Sequence, residues 1–321
     1  MKKLSNKKVL ITGASGFLGT YLADLCNQEG AVLYGIDIRE PFKKEIWSGF
    51  STAGLLDNET ELLFKNNSFD YIFHLAGGAS IQLSVENPSE DFNNLVPPTL
   101  AFLQWIKQYC SAAHFVLFSS AAVYGNPDSL PIKETAVLKP ISPYGIHKLL
   151  AENLVQHYSN YYNIRSSVLR IFSAYGEGLR KQLFWDVLNR YKTSLDKLQN
   201  NEVVELSLFG TGKESRDFIH AKDVAQAAVL IATCDASEET QFNVYNVANG
   251  KETSIGEAAN CLFKEAVSLP DIKFGGVART GDPEKWRADI SKLQRIGFKE
   301  TVSIDSGLNS LYKWFMNLSN L

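Results

Sequence analysis

Short apolar runs alternate with helix-length segments through the first half of the chain. Five runs are almost continuously apolar and are bounded by Gly, Asn or Asp, which is typical of strands buried on both faces of a sheet. They lie at residues 9–11, 32–36, 71–75, 115–118 and 167–171. Residues 19–29, 88–109 and 143–162 have helical length and periodicity. Because this alternation favours parallel strands joined by right-handed crossovers, the pattern predicts a doubly wound α/β domain.

The regular alternation ends near residue 172. Beyond it the chain has glycine- and polar-rich loops around residues 176–178, 210–212, 250 and 275–281. We therefore expect the parallel-sheet domain to cover residues 1–172. Segments within about 218–247 are expected to return to it, and residues 173–321 are expected to form mainly a smaller α/β domain that binds the substrate.

Three glycines follow the first predicted strand and open the first predicted helix. With Gly13, Gly16 and Gly19 in a tight turn, backbone N–H groups can approach a pyrophosphate at the helix start. Asp37 ends the second predicted strand, eighteen residues after Gly19. An acid at this place accepts hydrogen bonds from ribose hydroxyls and repels a 2′-phosphate. The pattern predicts a Rossmann-type dinucleotide site that prefers NAD, while Arg39 leaves NADP as the alternative.

Composition and charge narrow the classes of partner. The 321 residues include 32 basic and 35 acidic side chains and are 45% hydrophobic, without the clustered Lys/Arg that nucleic acid requires. No apolar run approaches the roughly 20 residues of a membrane span, and residues 1–8 do not resemble a signal peptide. The cysteines lack metal or redox spacing, so we expect no metal and free thiols in a reducing cytoplasm. They are Cys26, Cys110, Cys234 and Cys261.

A tyrosine and a lysine stand four residues apart at the start of a predicted helix. This spacing puts Tyr144 and Lys148 on one helix face. A nearby ammonium, together with an oxidised nicotinamide ring, favours the phenolate and lowers the tyrosine pKa from about 10 towards that of a useful base. Ser120 ends a buried strand, where ligands of open α/β sheets bind, and could donate a hydrogen bond to a substrate oxygen.

At this point the chain resembles the extended short-chain dehydrogenase/reductase family, and within it the NAD-dependent nucleotide-sugar epimerase/dehydratase group that includes UDP-glucose 4-epimerase. The resemblance runs through nearly the whole sequence. The matching segments are 12–19, 74–77, 119–125, 142–148, 169–172, 216–223, 245–247, 279–283 and 288–289.

The resemblance implies roles for individual residues. Ser120, Tyr144 and Lys148 look like the catalytic triad, in which the tyrosinate removes a proton from a sugar hydroxyl, the lysine holds the ribose and the serine orients the reacting oxygen. Tyr144 and Lys148 also count among the expected cofactor-binding residues. The others are Gly13, Ser15, Gly16, Phe17, Leu18, Gly19, Asp37, Ile38, Leu56, Leu75, Ala76, Gly77 and Ser119.

Two alanines after Ser120 reduce the number of reactions that the resemblance allows. Related dehydratases carry an Asp-Glu pair directly after the catalytic serine, and related decarboxylases carry a glutamate, where this chain has Ala121 and Ala122. Neither alanine can transfer a proton. Of the family's reactions, those that remain change the oxidation state of one carbon. The chain would then be a 4-epimerase, which forms a transient 4-keto sugar, or a 4-ketoreductase or dehydrogenase. The preference for NAD favours the epimerase, and a non-catalytic NAD(P)-binding regulator is a second alternative.

The resemblance also implies which residues bind the nucleotide sugar, and it implies that the protein is a homodimer. Arg216 and Arg279 look like the family's two diphosphate-binding arginines, whose planar guanidinium groups suit phosphate oxygens. A bulky Trp286 would hinder an N-acetyl group, which favours non-acetylated sugars. The remaining expected substrate residues are Ser173, Gln182 and Leu183. The predicted helix at 143–162 carries a broad apolar stripe, which in the family joins a four-helix dimer interface.

Overall fold

The computed structural model describes residues 2–78, 80–195, 204–234, 241–276 and 284–318. The strands are β1 Lys8–Thr12, β2 Val32–Ile36, β3 Trp47–Ser51, β4 Tyr71–His74, β5 His114–Ser120, β6 Ser166–Ile171, β7 Ser173–Tyr175, β8 Glu205–Leu208, β9 Ser215–Arg216, β10 Phe218–His220, β11 Phe242–Val247, β12 Thr253–Ser254 and β13 Asp271–Phe274. The helices are α1 Phe17–Gln28, α2 Asn58–Asn66, α3 Ile81–Glu86, α4 Pro88–Tyr109, α5 Pro143–Tyr162, α6 Gln182–Leu195, α7 Ala221–Thr233, α8 Ile255–Leu262, α9 Ser291–Arg295 and α10 Ile304–Leu318.

A seven-stranded parallel sheet is the centre of the described fold. Its strand order is β11-β6-β5-β4-β1-β2-β3, and every neighbouring pair is parallel. The predicted fold class is thereby confirmed. Strand order reverses between β1 and β4, and ligands of such sheets bind at this point, beyond the carboxyl ends of the strands.

Apolar side chains on both faces of the sheet explain why its strands are continuous hydrophobic runs. Val9 and Ile11 of β1 belong to a core shared with α1 and α7. Leu10, between them, belongs to a core on the opposite face with α2, α4 and α5. Since successive strand residues point to opposite faces, a strand covered on both sides needs apolar residues at each position.

The later part of the chain divides between the sheet and a separate core. β11 pairs with β6 along six registered residues, and α7 packs beside α1. Residues of α6, β8, α8 and α10 build a third core, with Tyr191, Leu206, Leu262 and Leu311 among its members. Trp286 and Leu293 pack instead into the α1 and α7 core of the sheet. The division at residue 172 stays a prediction.

Two features are absent from the described residues, a membrane-spanning helix and a cluster of metal ligands. None of the helices there combines the length and the apolar character needed to cross a membrane. No cluster of three or more His, Cys, Asp or Glu side chains is arranged to hold a metal ion in the described part of the chain.

Candidate active site

The three glycines of the turn after β1 are packed too closely to be replaced by residues with side chains. A Cβ on Gly19 would lie 2.1 Å from the carbonyl oxygen of Gly13, and a Cβ on Gly16 would lie 2.9 Å from the same atom. Gly13 itself has φ +69°, which disfavours other residues. Gly16 precedes α1 and no side chain caps the helix. A helix start of this kind, reached through a turn whose glycines leave the backbone open to approach, fits the pyrophosphate of a dinucleotide.

Asp37 lies directly after β2 and is tied to that turn. The backbone N–H of Ser15 donates to Asp37 Oδ2 at 3.0 Å, and the N–H of Arg39 donates to Oδ1 at 3.0 Å. The Asp37 side chain is 7% exposed, and Nε of Arg39 lies 3.6 Å from Oδ1. Ile38 is largely exposed beside it. A carboxylate already held beside the turn suits ribose hydroxyls, and an arginine paired with it has less positive potential to offer a 2′-phosphate.

A buried histidine shapes the loop that follows β4. The Thr12 hydroxyl accepts the N–H groups of Leu75 and Ala76 at 3.2 and 3.1 Å, so its own proton goes to Nδ1 of His74 at 2.9 Å. Burial lowers the pKa of His74 to about 3, which keeps the imidazole neutral. These bonds hold the predicted cofactor residues 75–77 against the glycine turn, where a Gly13 Cβ would lie 3.0 Å from the Ala76 nitrogen.

The structure brings the predicted triad together where β5 ends and α5 begins. Ser142 caps α5 by accepting the N–H of Gly145 at 3.2 Å, which sets Tyr144 in the first turn. Lys148 is one turn later, and its Nζ lies 5.7 Å from the centroid of the Tyr144 ring. That ammonium donates to the carbonyl of Phe118 at 2.9 Å, next to the predicted Ser119 and Ser120.

The pKa values in the triad indicate that Tyr144 needs the added positive charge of the cofactor to act as a base. Burial raises the pKa of Tyr144 to about 12, opposed by a hydrogen bond with Ser120. Burial lowers the pKa of Lys148 to about 8, while the charges of Asp91 and Glu152 raise it. At neutral pH the lysine is therefore an ammonium and the tyrosine a phenol. Additional positive charge beside the ring would favour the tyrosinate.

A buried acid behind the triad was not predicted. Glu152 follows Lys148 by one more turn, and both of its carboxylate oxygens are bonded to Arg170, at 2.7 Å for the closest pair. The hydroxyl of Ser119 donates to the same carboxylate. The side chain of Ser119 therefore supports α5, although the residue itself lies beside the site. The Tyr-x-x-x-Lys-x-x-x-Glu spacing was the signal that could have revealed Glu152.

A second missed pair lies on the other side of Lys148. Nδ1 of His147 is 2.6 Å from Asp91 Oδ2, and both side chains are nearly buried. Asp91 also contacts the loop after β4, since a Cβ on Gly78 would lie 2.1 Å from its Oδ1. Asp91 therefore joins α4, α5 and the cofactor loop.

The expected substrate residues divide into two groups. Arg216 and Trp286 lie together, with the guanidinium carbon 5.7 Å from the indole ring, and Trp286 Nε1 donates to the Gly125 carbonyl at 3.1 Å. Ser173 lies in β7 and its N–H donates to the carbonyl of Asp217 at 3.0 Å. The second group begins α6, where Gln182 is exposed with φ +67° and Leu183 packs against the third core. Arg279 lies outside the described residues.

Leu56, the remaining expected cofactor residue, is 53% exposed in the turn before α2. Its neighbour Leu55 is partly buried and packs against the α4 and α5 core. Leu56 therefore keeps an apolar surface available for a ligand, whereas Leu55 contributes to folding.

This combination of a glycine turn, a reversal of strand order beside it and a Ser-Tyr-Lys triad is that of a short-chain dehydrogenase/reductase. Residues 9–248 match the sequence profile described as the NAD dependent epimerase/dehydratase family. The chain belongs to this family, and its cofactor is NAD.

Relatives align along almost the whole chain. A protein named as a putative UDP-glucose 4-epimerase from Methanocaldococcus jannaschii is 26% identical over 312 residues, covering 96% of this chain and 98% of the relative. A UDP-N-acetylglucosamine 4-epimerase from Methanobrevibacter ruminantium M1, solved with UDP-N-acetylmuramic acid, is 28% identical with a TM-score of 0.83, covering 98% and 100%. MoeE5, solved with UDP-glucuronic acid and NAD, is 25% identical with a TM-score of 0.84, covering 97% and 99%.

Proposed function

We propose that this chain is an NAD-dependent nucleotide-sugar 4-epimerase that inverts C4 of a UDP-hexose, with Tyr144 as the base. The observation that carries the proposal is the pair Ala121 and Ala122 directly after Ser120. With no acid at either position, Tyr144 is the one side chain of the triad that can transfer a proton at the reacting carbon. The names of the relatives support the choice of reaction and of nucleotide.

The residues of the site suit oxidation and re-reduction at a single carbon. NAD, when bound, takes up the hydrogen from C4 and supplies it again. Tyr144 removes the proton of the C4 hydroxyl and later returns it, while Ser120 donates a hydrogen bond to the same oxygen. Lys148 holds the ribose and stabilises the tyrosinate. The glycine turn at residues 13–19 binds the pyrophosphate, and Asp37 accepts hydrogen bonds from the hydroxyls of the adenosine ribose.

The surroundings of the triad disfavour elimination of water. Ala121 and Ala122 are both buried beside Ser120 and carry no ionisable group. The acids whose charges act on Lys148 are already engaged, Asp91 with His147 and Glu152 with Arg170. An elimination needs a further acid and base within reach of the sugar, and the described side chains around the triad do not supply them.

A 4-ketoreductase is the second candidate. The observation in its favour is Arg39, whose side chain is 67% exposed next to Asp37 and could turn towards the 2′-phosphate of NADPH. Stoichiometric consumption of NADPH with a 4-keto sugar would establish this activity. A non-catalytic NAD(P)-binding regulator is disfavoured by the assembled triad.

The sugar pocket favours hexoses without an N-acetyl group. Trp286 is buried, and its indole is held by Gly125, by Phe172 at a ring distance of 5.9 Å and by Arg216, so it cannot swing aside easily. We expect kcat/KM for UDP-glucose or UDP-galactose to exceed that for UDP-N-acetylglucosamine. Equal values would contradict a size limit set by Trp286.

We also propose a homodimer formed through α4 and α5. Phe92, Ile146 and Leu150 are between 37% and 46% exposed on these helices. A surface cavity of about 420 Å³ lies beside them, lined by Pro88, Ser89, Phe92, Asn93 and His147. Apolar side chains exposed on one pair of helices mark an interaction surface. Light scattering should give twice the chain mass, and Leu150→Glu should give a monomer.

A cytoplasmic location is proposed as well. All four cysteines are free, which suits a reducing compartment. Fractionation of cells that produce the tagged full chain tests this, with recovery outside the cytoplasm as the contrary result.

The catalytic proposal is tested by incubating the NAD-loaded protein with single UDP-hexoses and following the product by proton NMR. The expected result is a mixture of the two C4 epimers from either starting sugar. Absence of interconversion for UDP-glucose, UDP-galactose, UDP-glucuronic acid and their N-acetyl counterparts would refute it.

A further inference from the structure

Two serines bind the backbone N–H groups at the start of α5. The first residues of a helix have N–H groups that the helix itself leaves unbonded. Pro143, the first residue of α5, has no N–H group, and the N–H of Gly145 donates to the Ser142 hydroxyl at 3.2 Å. The N–H of Tyr144, between them, donates to the hydroxyl of Ser84 at 3.1 Å. The residue proposed as the base is therefore held by a side chain from another element.

Ser84 belongs to α3, and its hydroxyl has a fixed orientation. The side chain is fully buried. The hydroxyl donates its proton to the carbonyl of Ile81 at 2.6 Å, so a lone pair faces Tyr144. Because water does not readily reach this position, loss of the hydroxyl would leave the Tyr144 N–H without its acceptor. The contact thus fixes the Tyr144 backbone relative to α3.

The next residue of the turn packs against the end of β5. A Cβ on Gly145 would lie 2.6 Å from the carbonyl oxygen of Ala122 and 3.0 Å from the Cβ of Pro140. Ala122 lies two residues after Ser120, whose side chain is hydrogen-bonded to the Tyr144 phenol. The start of α5 is therefore held both by α3 and by the strand end that carries Ser120.

Helix α3 also connects this turn to the loop after β4. It begins three residues after Gly78 and is followed by α4. In α4, Asp91 lies 2.6 Å from Nδ1 of His147 and would meet a Cβ on Gly78 at 2.1 Å. Helices α3 and α4 thus contact the start of α5 at two places, Ser84 at Tyr144 and Asp91 at His147. The expected cofactor loop and the proposed base share one support.

We propose that Ser84 is a positioning residue for proton transfer, which holds the Tyr144 backbone in the place from which the phenol reaches the C4 hydroxyl. The inference rests on the proposed epimerase function. Ser84 donates nothing to the reacting atoms, because its proton is engaged within α3. Its loss should therefore slow proton transfer and leave the binding of NAD and of the sugar nucleotide unchanged.

The first measurement compares Ser84→Ala with Ser159→Ala in the full-length protein. Ser159 is as buried as Ser84 and lies in α5, but its hydroxyl has no hydrogen-bond partner among the described residues. For Ser84→Ala we expect kcat for UDP-hexose interconversion to fall about tenfold, less than the roughly 100-fold cost of a full 1 Å misplacement. KM and the Kd for NAD+ should stay within about twofold of the parent values. Ser159→Ala should match the parent in all three.

The second measurement tests the contact without relying on turnover. Hydrogen exchange of the backbone amides is followed by mass spectrometry at single-residue resolution. The Tyr144 amide should be protected in the parent, and Ser84→Ala should speed its exchange about tenfold because the acceptor is lost. Exchange of the Lys148 amide, which lies inside the helix, should not change.

Three outcomes would overturn the inference. An unprotected Tyr144 amide in the parent would show that the contact is not made. Faster exchange in Ser84→Ala with an unchanged kcat would show that proton transfer does not depend on the contact. A fall in kcat matched by weaker NAD+ binding would indicate a general loosening of the site. If the parent interconverts no UDP-hexose, the proposed function fails, whereas exchange at Tyr144 still decides whether Ser84 holds this residue.

Discussion

At the scale of residues, Tyr144 is the side chain on which proton transfer depends. Replacing it with phenylalanine keeps the ring and removes the phenol. We expect kcat to fall by about 100-fold to 10,000-fold, the range that a positioned acid–base group supplies. NAD+ affinity should change little, because Lys148 and the glycine turn remain. Assays of turnover and of NAD+ binding on one preparation check this, and full turnover in Tyr144→Phe would contradict the assigned base.

Lys148 lowers the free energy of unfolding, because it is a buried ammonium that the proposed reaction needs. Its pKa of about 8, against an ordinary 10.5, means that burial penalises the ammonium. Below pH 8 both folded and unfolded chains carry the proton, and the folded state bears the full penalty. Between pH 8 and 10.5 Lys148 is neutral in the folded chain and still protonated in the unfolded chain. The free energy of unfolding therefore rises with pH over this range.

Lys148→Met is therefore expected to be inactive and more stable than the parent by about 2 kcal/mol at pH 7. The advantage should shrink as pH rises from 8 towards 10.5. Urea unfolding of both proteins at pH 7 and pH 10 measures it. A variant that is less stable at pH 7, or an advantage that grows with pH, would show that the ammonium is not penalised by burial.

At the scale of elements, α5 carries its functional residues on one stripe. Tyr144, Lys148 and Glu152 follow one another at four-residue spacing, and Glu152 joins the helix to β6 through Arg170. The ion pair is nearly fully buried. Its contribution is more positional than stabilising, because the cost of desolvation offsets the attraction between such charges.

Glu152→Gln should lower the free energy of unfolding by about 3 kcal/mol, because it leaves the Arg170 guanidinium buried without its counter-charge. The double variant Glu152→Gln with Arg170→Met should recover part of the loss. Denaturant titrations of the single and double variants provide the measurement. A single variant as stable as the parent would mean that the pair does not hold α5 against the sheet.

The turn that begins α1 gives a second prediction at this scale. Gly19→Ala places a Cβ against the Gly13 carbonyl, so the turn must open and the helix start must move away from the phosphate site. NAD+ binding should weaken by at least about tenfold. Gly275→Ala, where the nearest atom to a Cβ is the Leu208 carbonyl oxygen at 3.7 Å, is the control and should bind NAD+ normally. Equal affinity in the two variants would be inconsistent with the role given to the turn.

At the scale of the whole molecule, periodicity and motif spacing predict the sheet and the triad but not the contacts between distant segments. Strands 32–36 and 115–118 are apolar runs that need burial on both faces, so the pattern alone identifies them. β3 has the sequence Trp47-Ser48-Gly49-Phe50-Ser51, in which polar residues interrupt the apolar run. It is a strand because it pairs with β2, and its own sequence does not predict that pairing.

The same limit applies to the candidate site. Ser120, Tyr144 and Lys148 are recognisable because their roles fix residue type and spacing. Arg170 and Asp91 act through partners 18 and 56 residues away, and no local pattern reveals such pairs.

The most direct test of the central claim follows the hydrogen at C4. A UDP-hexose labelled with deuterium at that carbon is incubated in ordinary water with the NAD-loaded protein, and the product is examined by NMR. Tyr144 exchanges only the hydroxyl proton, so the account predicts inverted configuration at C4 with the deuterium still attached and no net consumption of NAD. Loss of the label to water would contradict it, and so would net formation of a 4-keto sugar with the deuterium transferred to NAD(P)+.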